Sequence, residues 1–158
     1  MLKRLWNLTA VRAAIMIILS VMFMQTVNIL RRPSVASITT LLLSLPEYNN
    51  MTETGLHGAY ADFSDMNVKG IIIYTSADDS SREFAVVKVS PLLVKQTVDI
   101  FQNRVQELIT EYEQNPEELN RVKYFRIINN GDFVTFTVYD TNSTAENAIH
   151  EYFSINKP

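Results

Sequence analysis

Residues 68–89 read VKGIIIYTSADDSSREFAVVKV, and this stretch decides the fold of the chain. Two runs rich in β-branched residues, 68–75 and 82–89, flank the polar residues 76–81. Apolar runs on either side of a polar turn are typical of a β-hairpin. The stretch therefore predicts two antiparallel strands, whose faces the rest of the chain must cover.

A long helix is predicted directly after this hairpin, from about Pro91 to Gln114. Proline is favoured in the first turn of a helix. Six apolar residues then recur at alternating spacings of four and three, which places them on one helical face. They are Val94, Val98, Phe101, Val105, Leu108 and Tyr112. The pattern predicts a helix that buries one side against the sheet.

A second hairpin and helix follow the first pair. Residues 123–129 and 132–139 flank Asn130-Gly131, a strong signal for a tight turn. The capping pattern Ser143–Glu146 opens a final helix. The sequence thus predicts an α+β domain of two layers, with a four-stranded, mainly antiparallel sheet and helices on one face, in the order hairpin–helix, hairpin–helix.

Two segments lead into this domain. Ser34–Leu45 has the apolar spacing of a short amphipathic helix, which Pro46 ends. This helix either packs on the domain or lies on a membrane surface. Tyr48–Gly58 is polar and is predicted to be a loop.

An uncharged stretch of 18 residues, Ala13–Leu30, precedes these segments. As a helix it is about 27 Å long, close to the ~30 Å hydrocarbon core of a bilayer. Trp6 and Arg12 fall at the expected membrane interface, where Trp is enriched and Arg reaches the headgroups. Because two arginines and a proline follow, rather than a small-residue cleavage site, we expect a retained signal anchor and not a cleaved leader.

Charge sets the expected orientation of this anchor. The first 33 residues hold five basic residues and no acidic ones, whereas the remainder holds nine basic and 17 acidic residues, a net charge of −8. The basic excess before the span favours a cytoplasmic N-terminus, which puts the acidic domain outside the cytoplasm. Such a domain is expected to repel both nucleic acid and anionic lipid headgroups. The expected division is a cytoplasmic basic N-terminus over 1–12, a transmembrane signal anchor over 13–32, a short amphipathic helix over 33–46 and an extracytoplasmic α+β domain over 47–158.

One face of the predicted span carries polar residues. Val21, Gln25, Asn28 and Arg32 are spaced by four, three and four residues, so they share a helical face. Amides within a span can bond to a neighbouring membrane helix. The alternative is that Gln25 and Asn28 lie in the wet outer interface. The first interpretation predicts a partner face on the membrane helix.

Motifs for catalysis and metal binding are sparse. The absence of cysteine excludes disulfides, thiol catalysis and thiolate metal sites. His57 lies near Asp62 and Asp65 in sequence and is a candidate general base, with an ordinary surface histidine as the alternative. His150 is expected on the exposed side of the last helix. No cofactor and no catalytic residue is predicted.

Two further sets of charged residues have structural explanations. Asp78-Asp79-Ser80-Ser81 with Glu83 has ligand types that suit Ca²⁺, but a hydrophilic hairpin tip explains it equally well. Glu83 and Arg104 each have apolar neighbours, and we expect them to form an ion pair between a strand and the long helix. The prediction is therefore that no metal is bound.

Short motifs within residues 34–153 resemble those of a known family. Leu56–Tyr60 resembles the motif L-x-x-x-Y, and Glu83–Lys88 resembles E-[IV]-A-x-[FV]-K. Gly131–Val134 resembles G-x-Y-V, with Phe in place of Tyr. Arg104 and Tyr112 occupy matching places in the long helix, and Pro116 occupies one after it. On these residues the chain resembles the bacterial family called domain of unknown function 4358. The resemblance implies a domain held outside the membrane by a lipoprotein signal or a single span. This chain departs from the lipoprotein type because it has no cysteine.

The resemblance also bears on function. The family has no established activity, and its members are often associated with membrane-bound O-acyltransferases of cell-envelope polymers. It implies such an enzyme as the first partner to test. We expect a non-enzymatic accessory protein of a bacterial envelope complex, anchored once in the membrane. The alternative is a membrane-tethered enzyme that uses the loop of His57, Asp62 and Asp65.

Overall fold

The computed structural model describes residues 15–20, 32–78, 81–139 and 143–156. Residues 15–20 are helical. The chain divides into two compact units, of which Pro33–Ile155 is the larger and contains the whole sheet. All the strands and the helices that cover them belong to this larger unit.

The sheet has five strands, all antiparallel to their neighbours. They are β1 (Met51–Thr54), β2 (Gly70–Ser76), β3 (Glu83–Lys88), β4 (Arg126–Asn130) and β5 (Phe133–Val138), in the order β1-β2-β3-β5-β4. The two predicted hairpins are β2–β3 and β4–β5. The α+β class and the antiparallel sheet are confirmed, whereas the predicted number of four strands is wrong.

The additional strand, β1, lies within the segment predicted to be a polar loop. Its sequence is Met-Thr-Glu-Thr, and Met51 pairs with Ser76 while Thr54 pairs with Ile73. An edge strand has a single neighbour and can expose polar side chains, so it needs no apolar run. Backbone pairing with β2, rather than hydrophobic pattern, therefore makes this segment a strand.

Four α-helices surround the sheet: α1 (Val35–Leu43), α2 (Val94–Glu111), α3 (Pro116–Val122) and α4 (Ser143–Ile155). Three 3₁₀ segments accompany them, at Pro46–Tyr48, Gly58–Asp65 and Pro91–Leu93. The long helix predicted from Pro91 is thus a 3₁₀ turn followed by α2. Helix α3 was not predicted, although Asn115 caps it by accepting a hydrogen bond from the Glu118 amide at 3.3 Å.

One face of the sheet is covered by α2 and the 3₁₀ segment Gly58–Asp65. Ala85 and Val87 of β3 and Phe136 of β5 belong to this core. The ring of Phe101, on α2, stacks on Phe136 with 5.2 Å between centroids. We call this side the α2 face.

The opposite face is covered by α1 and α4. Phe84 and Val86 of β3 and Phe133 of β5 form a second core with residues of these two helices. Helices therefore cover both faces, and the prediction that they lie on one face is wrong. The reason is in the central strands: β5 is buried along its whole length, and strands buried on both faces need cover on both.

Helix α1 is an integral part of this second core. Ile38 and Leu42 are fully buried, and the Ser37 hydroxyl lies 2.7 Å from the hydroxyl of Tyr152 on α4. Ser34 caps the helix with a reciprocal pair of hydrogen bonds to Ser37. The sequence left open whether this segment packs on the domain or lies on a membrane surface, and in the structure it packs on the domain.

The predicted membrane span lies largely outside the described residues, which include only 15–20 and 32 of the range 13–32. Within the part of the chain that is described, no helix has both the length and the apolar character needed to cross a bilayer.

Candidate functional site

The polar centre of the domain is a bidentate ion pair between β3 and α2. Arg104 Nη2 donates to Glu83 Oε2 at 2.9 Å, and Arg104 Nε donates to Glu83 Oε1 at 3.1 Å. Glu83 is only 2% exposed, because alternation along β3 points it to the α2 face. The ion pair predicted between the strand and the long helix is confirmed.

Tyr60 completes this network from the 3₁₀ segment. Its hydroxyl donates to Glu83 Oε1 at 2.7 Å, and the Arg104 guanidinium lies 5.7 Å from the centre of its ring. Burial, together with the charge of Glu83, raises the pKa of Tyr60 well above its usual value, so the phenol stays protonated. We call Tyr60, Glu83 and Arg104 the buried triad.

The triad keeps its cation firmly charged. Burial by itself lowers the pKa of Arg104, but the hydrogen bonds and charge of Glu83 outweigh burial and raise it. Arg104 Nη1 also lies 3.1 Å from Glu107 Oε2 and 3.8 Å from Glu111 Oε2. One guanidinium thus faces three carboxylates, and the surroundings of the triad carry excess negative charge.

A polar cleft of about 160 Å³ opens beside the triad, between β2 and α2. It is lined by His57, Thr75, Ser76, Glu83, Arg104, Leu108, Glu111 and Tyr112. The volume admits several water molecules or a small polar molecule. Both oxygens of Glu83 already accept hydrogen bonds within the protein, so this carboxylate is poorly placed to take a proton from a ligand.

His57, the candidate general base, is exposed and lines this cleft. Its Nδ1 lies 2.8 Å from the carbonyl oxygen of Gly55, and its ring meets the Tyr60 ring edge-on at 5.9 Å. Asp62 and Asp65 are exposed on the 3₁₀ segment. Among the residues that the structure describes, no hydrogen bond or ion pair joins His57 to either of these aspartates.

The described side chains of the hairpin tip that could suit Ca²⁺ bond to other protein groups. Asp78 bonds to Ser76 and forms an ion pair with Arg82 at 2.5 Å. Glu83 belongs to the buried triad, while residues 79 and 80 lie outside the described part of the chain. Within that part, no group of three His, Asp or Glu side chains could hold a metal ion.

A second buried network, which was not predicted, lies where α3 meets the residues before β3. Glu118 Oε2 accepts hydrogen bonds from the Ser81 amide at 2.8 Å and the Ser81 hydroxyl at 2.9 Å, and it also pairs with Arg121. Burial raises the pKa of Glu118, but the bonds from Arg121 and Ser81 outweigh it and lower the pKa. This network pins α3 to the start of β3.

The residues predicted to act in the membrane are mostly outside the described part of the chain. Those outside are Trp6, Arg12, Val21, Gln25 and Asn28. Arg32 is described and is exposed, immediately before the compact unit begins. The partner face therefore stays a prediction.

No family model matches the chain, and neither a curated protein nor a solved structure shows significant similarity to it. The resemblance of residues 34–153 to a family thus stays a hypothesis that rests on the short motifs quoted above.

Proposed function

We propose that this chain is a non-catalytic accessory protein of a bacterial cell-envelope complex, anchored by one N-terminal membrane helix with its domain outside the cytoplasm. Its partner is a larger integral membrane protein. On the family resemblance, a membrane-bound O-acyltransferase is the first candidate.

The position of Pro33 is the observation that carries this proposal. Pro33 is buried, is the first residue of the compact unit, and directly follows the predicted anchor, 13–32. A folded domain that begins directly after an apolar, positively flanked stretch is the arrangement of an anchored domain.

The chemistry of the buried charges supports a non-catalytic role. The triad uses its charges internally, to fix α2 on the sheet, and Arg104 has three carboxylate neighbours. Tyr60, Glu83 and Arg104 are also among the residues on which the family resemblance rests. Their role in holding α2 on the sheet explains why a domain without a catalytic motif contains these residues.

The test of orientation is protease digestion of spheroplasts that contain the full chain. We expect residues 33–158 to be degraded by protease added outside, while a cytoplasmic marker protein survives. Protection of the domain until the membrane is broken would put it in the cytoplasm and overturn the proposed orientation.

The test of partnership is purification in a mild detergent, with identification of the proteins that accompany the chain. A variant in which Ala13–Leu30 is replaced by a polyleucine span of equal length is the matched comparison. We expect the variant to stay anchored and folded but to lose the partner, because it lacks Gln25 and Asn28. Undiminished recovery of the partner would make the helix a plain tether.

The rival function is a membrane-tethered enzyme that uses the loop of His57, Asp62 and Asp65. One observation favours keeping it: His57 lines a solvent-open cleft that is also lined by Glu83, Arg104 and Glu111. His57→Ala separates the two proposals, with His150→Ala, the other histidine and likewise exposed, as control. Loss of function in His57→Ala alone, with folding and partner binding intact, would overturn the accessory role.

A further inference from the structure

Several elements of the domain meet at the end where the chain enters it. A Cβ added at Gly70, the first residue of β2, would lie 3.2 Å from Val35 Cγ2, so the start of α1 is in contact with the start of β2. Gly70 pairs with Lys88, and Lys88 pairs with Phe133. We call this the proximal end; it contains the starts of α1, β2 and β5 and the end of β3.

The link from β3 to α2 projects from the proximal end as an apolar tip. Leu92 is 92% exposed, the highest value among the apolar side chains described, and Pro91 beside it is exposed too. The tip is held in shape because the Leu93 amide donates to the Ser90 carbonyl at 2.9 Å, and Leu93 and Val94 pack onto the core. Leu92 therefore points outward from a rigid turn.

Charged residues are nearly balanced at the proximal end. Lys69 and Lys95 are exposed, and Lys88 pairs with Asp132 at 3.5 Å. Asp65, Asp99 and Glu151 are the acidic residues on these elements nearest this end, whereas Glu83, Glu107, Glu111 and Glu146 lie towards the other end. An anionic surface near this end meets basic side chains as well as acidic ones.

The opposite end of the domain is strongly acidic. Helix α2 runs 18 residues, about 27 Å, from the proximal end to Glu111. Glu113, Glu117 and Asp78 are exposed around that far end. Electrostatic interactions in water at physiological salt fade over about 8 Å, so a charged surface at the proximal end is screened from these carboxylates.

We propose that the proximal end rests on the outer lipid surface and that the Pro91-Leu92 tip dips into the headgroup region. This inference rests on the proposed anchoring, in which the predicted anchor, 13–32, ends directly before Pro33. The three chain steps from Leu30, the last uncharged residue of that stretch, to Pro33 reach at most about 10 Å, so the chain enters the proximal end close to the bilayer. Facing the lipid this way also turns the acidic far end away from anionic headgroups.

The absence of cysteine makes a direct test possible. Leu92→Cys, Lys95→Cys and Glu113→Cys are made in the full chain, labelled with the same fluorophore and reconstituted in phosphatidylcholine–phosphatidylglycerol vesicles with a headgroup-attached quencher. We expect the label at 92 to lose most fluorescence, the label at 95 to lose less, and the label at 113 to be unaffected. Equal quenching at 92 and 113 would overturn the inference.

A second variant tests Leu92 itself. Leu92→Glu added to Lys95→Cys leaves the reporter in place and removes the apolar contact, so we expect weaker quenching at 95; unchanged quenching would contradict a role for Leu92.

Because the vesicles hold this chain alone, quenching reports lipid rather than another protein. Washing the vesicles with alkaline carbonate distinguishes failure of the anchoring from failure of this inference. Release of the chain overturns both. A chain that is retained but shows no quenching at 92 overturns this inference only.

Discussion

Arg104 fixes the longest helix of the domain to the sheet with a side chain that is only 10% exposed. Arg104→Ala leaves Glu83 buried with Tyr60 as its one remaining side-chain donor. Removing one partner of a buried pair typically costs about 3–5 kcal/mol. We therefore expect the free energy of unfolding of residues 33–158, measured by urea denaturation, to fall by about 3 kcal/mol.

Gln106→Ala, at an exposed position of the same helix, is the control for this substitution. Exposed positions without special contacts usually change stability by less than about 0.5 kcal/mol. If Arg104→Ala costs no more than Gln106→Ala, the buried triad does not hold α2 in place.

Glu118 gives the domain a specific dependence on pH. Its pKa is lower in the folded chain than in the unfolded one, so its contribution is complete above the unfolded pKa of about 4.3–4.5 and is lost as pH falls through the folded value. We expect Glu118→Gln to be about 1 kcal/mol less stable than the parent at neutral pH. That difference should shrink as the pH of the denaturation experiment falls below about 4.

Glu117→Gln is the matched comparison, because Glu117 is 83% exposed and only 3.6 Å from Arg121. Its effect on stability should be small at every pH. A cost of Glu118→Gln that stayed constant from neutral to acid pH would show that the carboxylate charge is not what Arg121 and Ser81 stabilise.

At the scale of elements, hydrophobic pattern predicted both hairpins, α2 and the final helix. It missed β1, because an edge strand of mainly polar residues is stabilised by backbone pairing. It also missed the cover on both faces, although β3 and β5 have apolar residues in successive positions, which indicates burial on two sides. Helix α3 did have a signal, since Asn115 is followed by a proline and two glutamates.

The candidate site was predictable only in part. The apolar neighbours of Glu83 and Arg104 predicted their ion pair, because a charge within an apolar strand or helix face needs a partner. Tyr60 was missed as their third member because it comes 23 residues before Glu83, on a segment without regular periodicity. His57 bonds to the Gly55 carbonyl, while Asp62 and Asp65 are exposed on the 3₁₀ segment, an arrangement that sequence spacing does not reveal.

The turn between β4 and β5 depends on Gly131, which has a φ of 69°. This left-handed conformation costs a residue with a Cβ about 1–2 kcal/mol. Nothing lies within 4 Å of an added Cβ, so backbone strain is the only penalty. We expect Gly131→Ala to lower the free energy of unfolding by about 1 kcal/mol and Gly131→Asn to cost less.

Gly55→Ala provides the control for the turn, because Gly55 also has open space around it but lacks a positive φ. It should be neutral or slightly stabilising, since it restricts only the unfolded chain. Thermal unfolding of the three variants side by side measures the effect. Equal midpoints for Gly131→Ala and Gly55→Ala would exclude strain at the turn.

At the scale of the whole molecule, α1 decides where the folding unit begins. Ile38 and Leu42 are fully buried, and burying each such side chain is worth about 1.5–3 kcal/mol. The free energy of unfolding of a small domain is only about 5–15 kcal/mol, so removing α1 lowers it by a large fraction. We expect residues 33–158 to fold cooperatively, and residues 46–158 to lose near-ultraviolet circular dichroism and bind a hydrophobic dye.

The two fragments differ mainly by α1, so each serves as the control for the other. A fragment 46–158 with the same unfolding midpoint as 33–158 would contradict the role of α1 in the core. Residues 33–158 that failed to fold would show that the preceding segment contributes to the domain.

The contact between α1 and α4 has a consequence for synthesis. Ser37 and Tyr152 are 115 residues apart, and a ribosome adding about 5–20 residues per second takes about 6–23 s to cover that distance. Meanwhile β3 keeps an open edge, because β5, its second neighbour, is made after β4. The apolar side of α1 therefore lacks its cover from α4 throughout that interval, and α4 then completes the burial of α1.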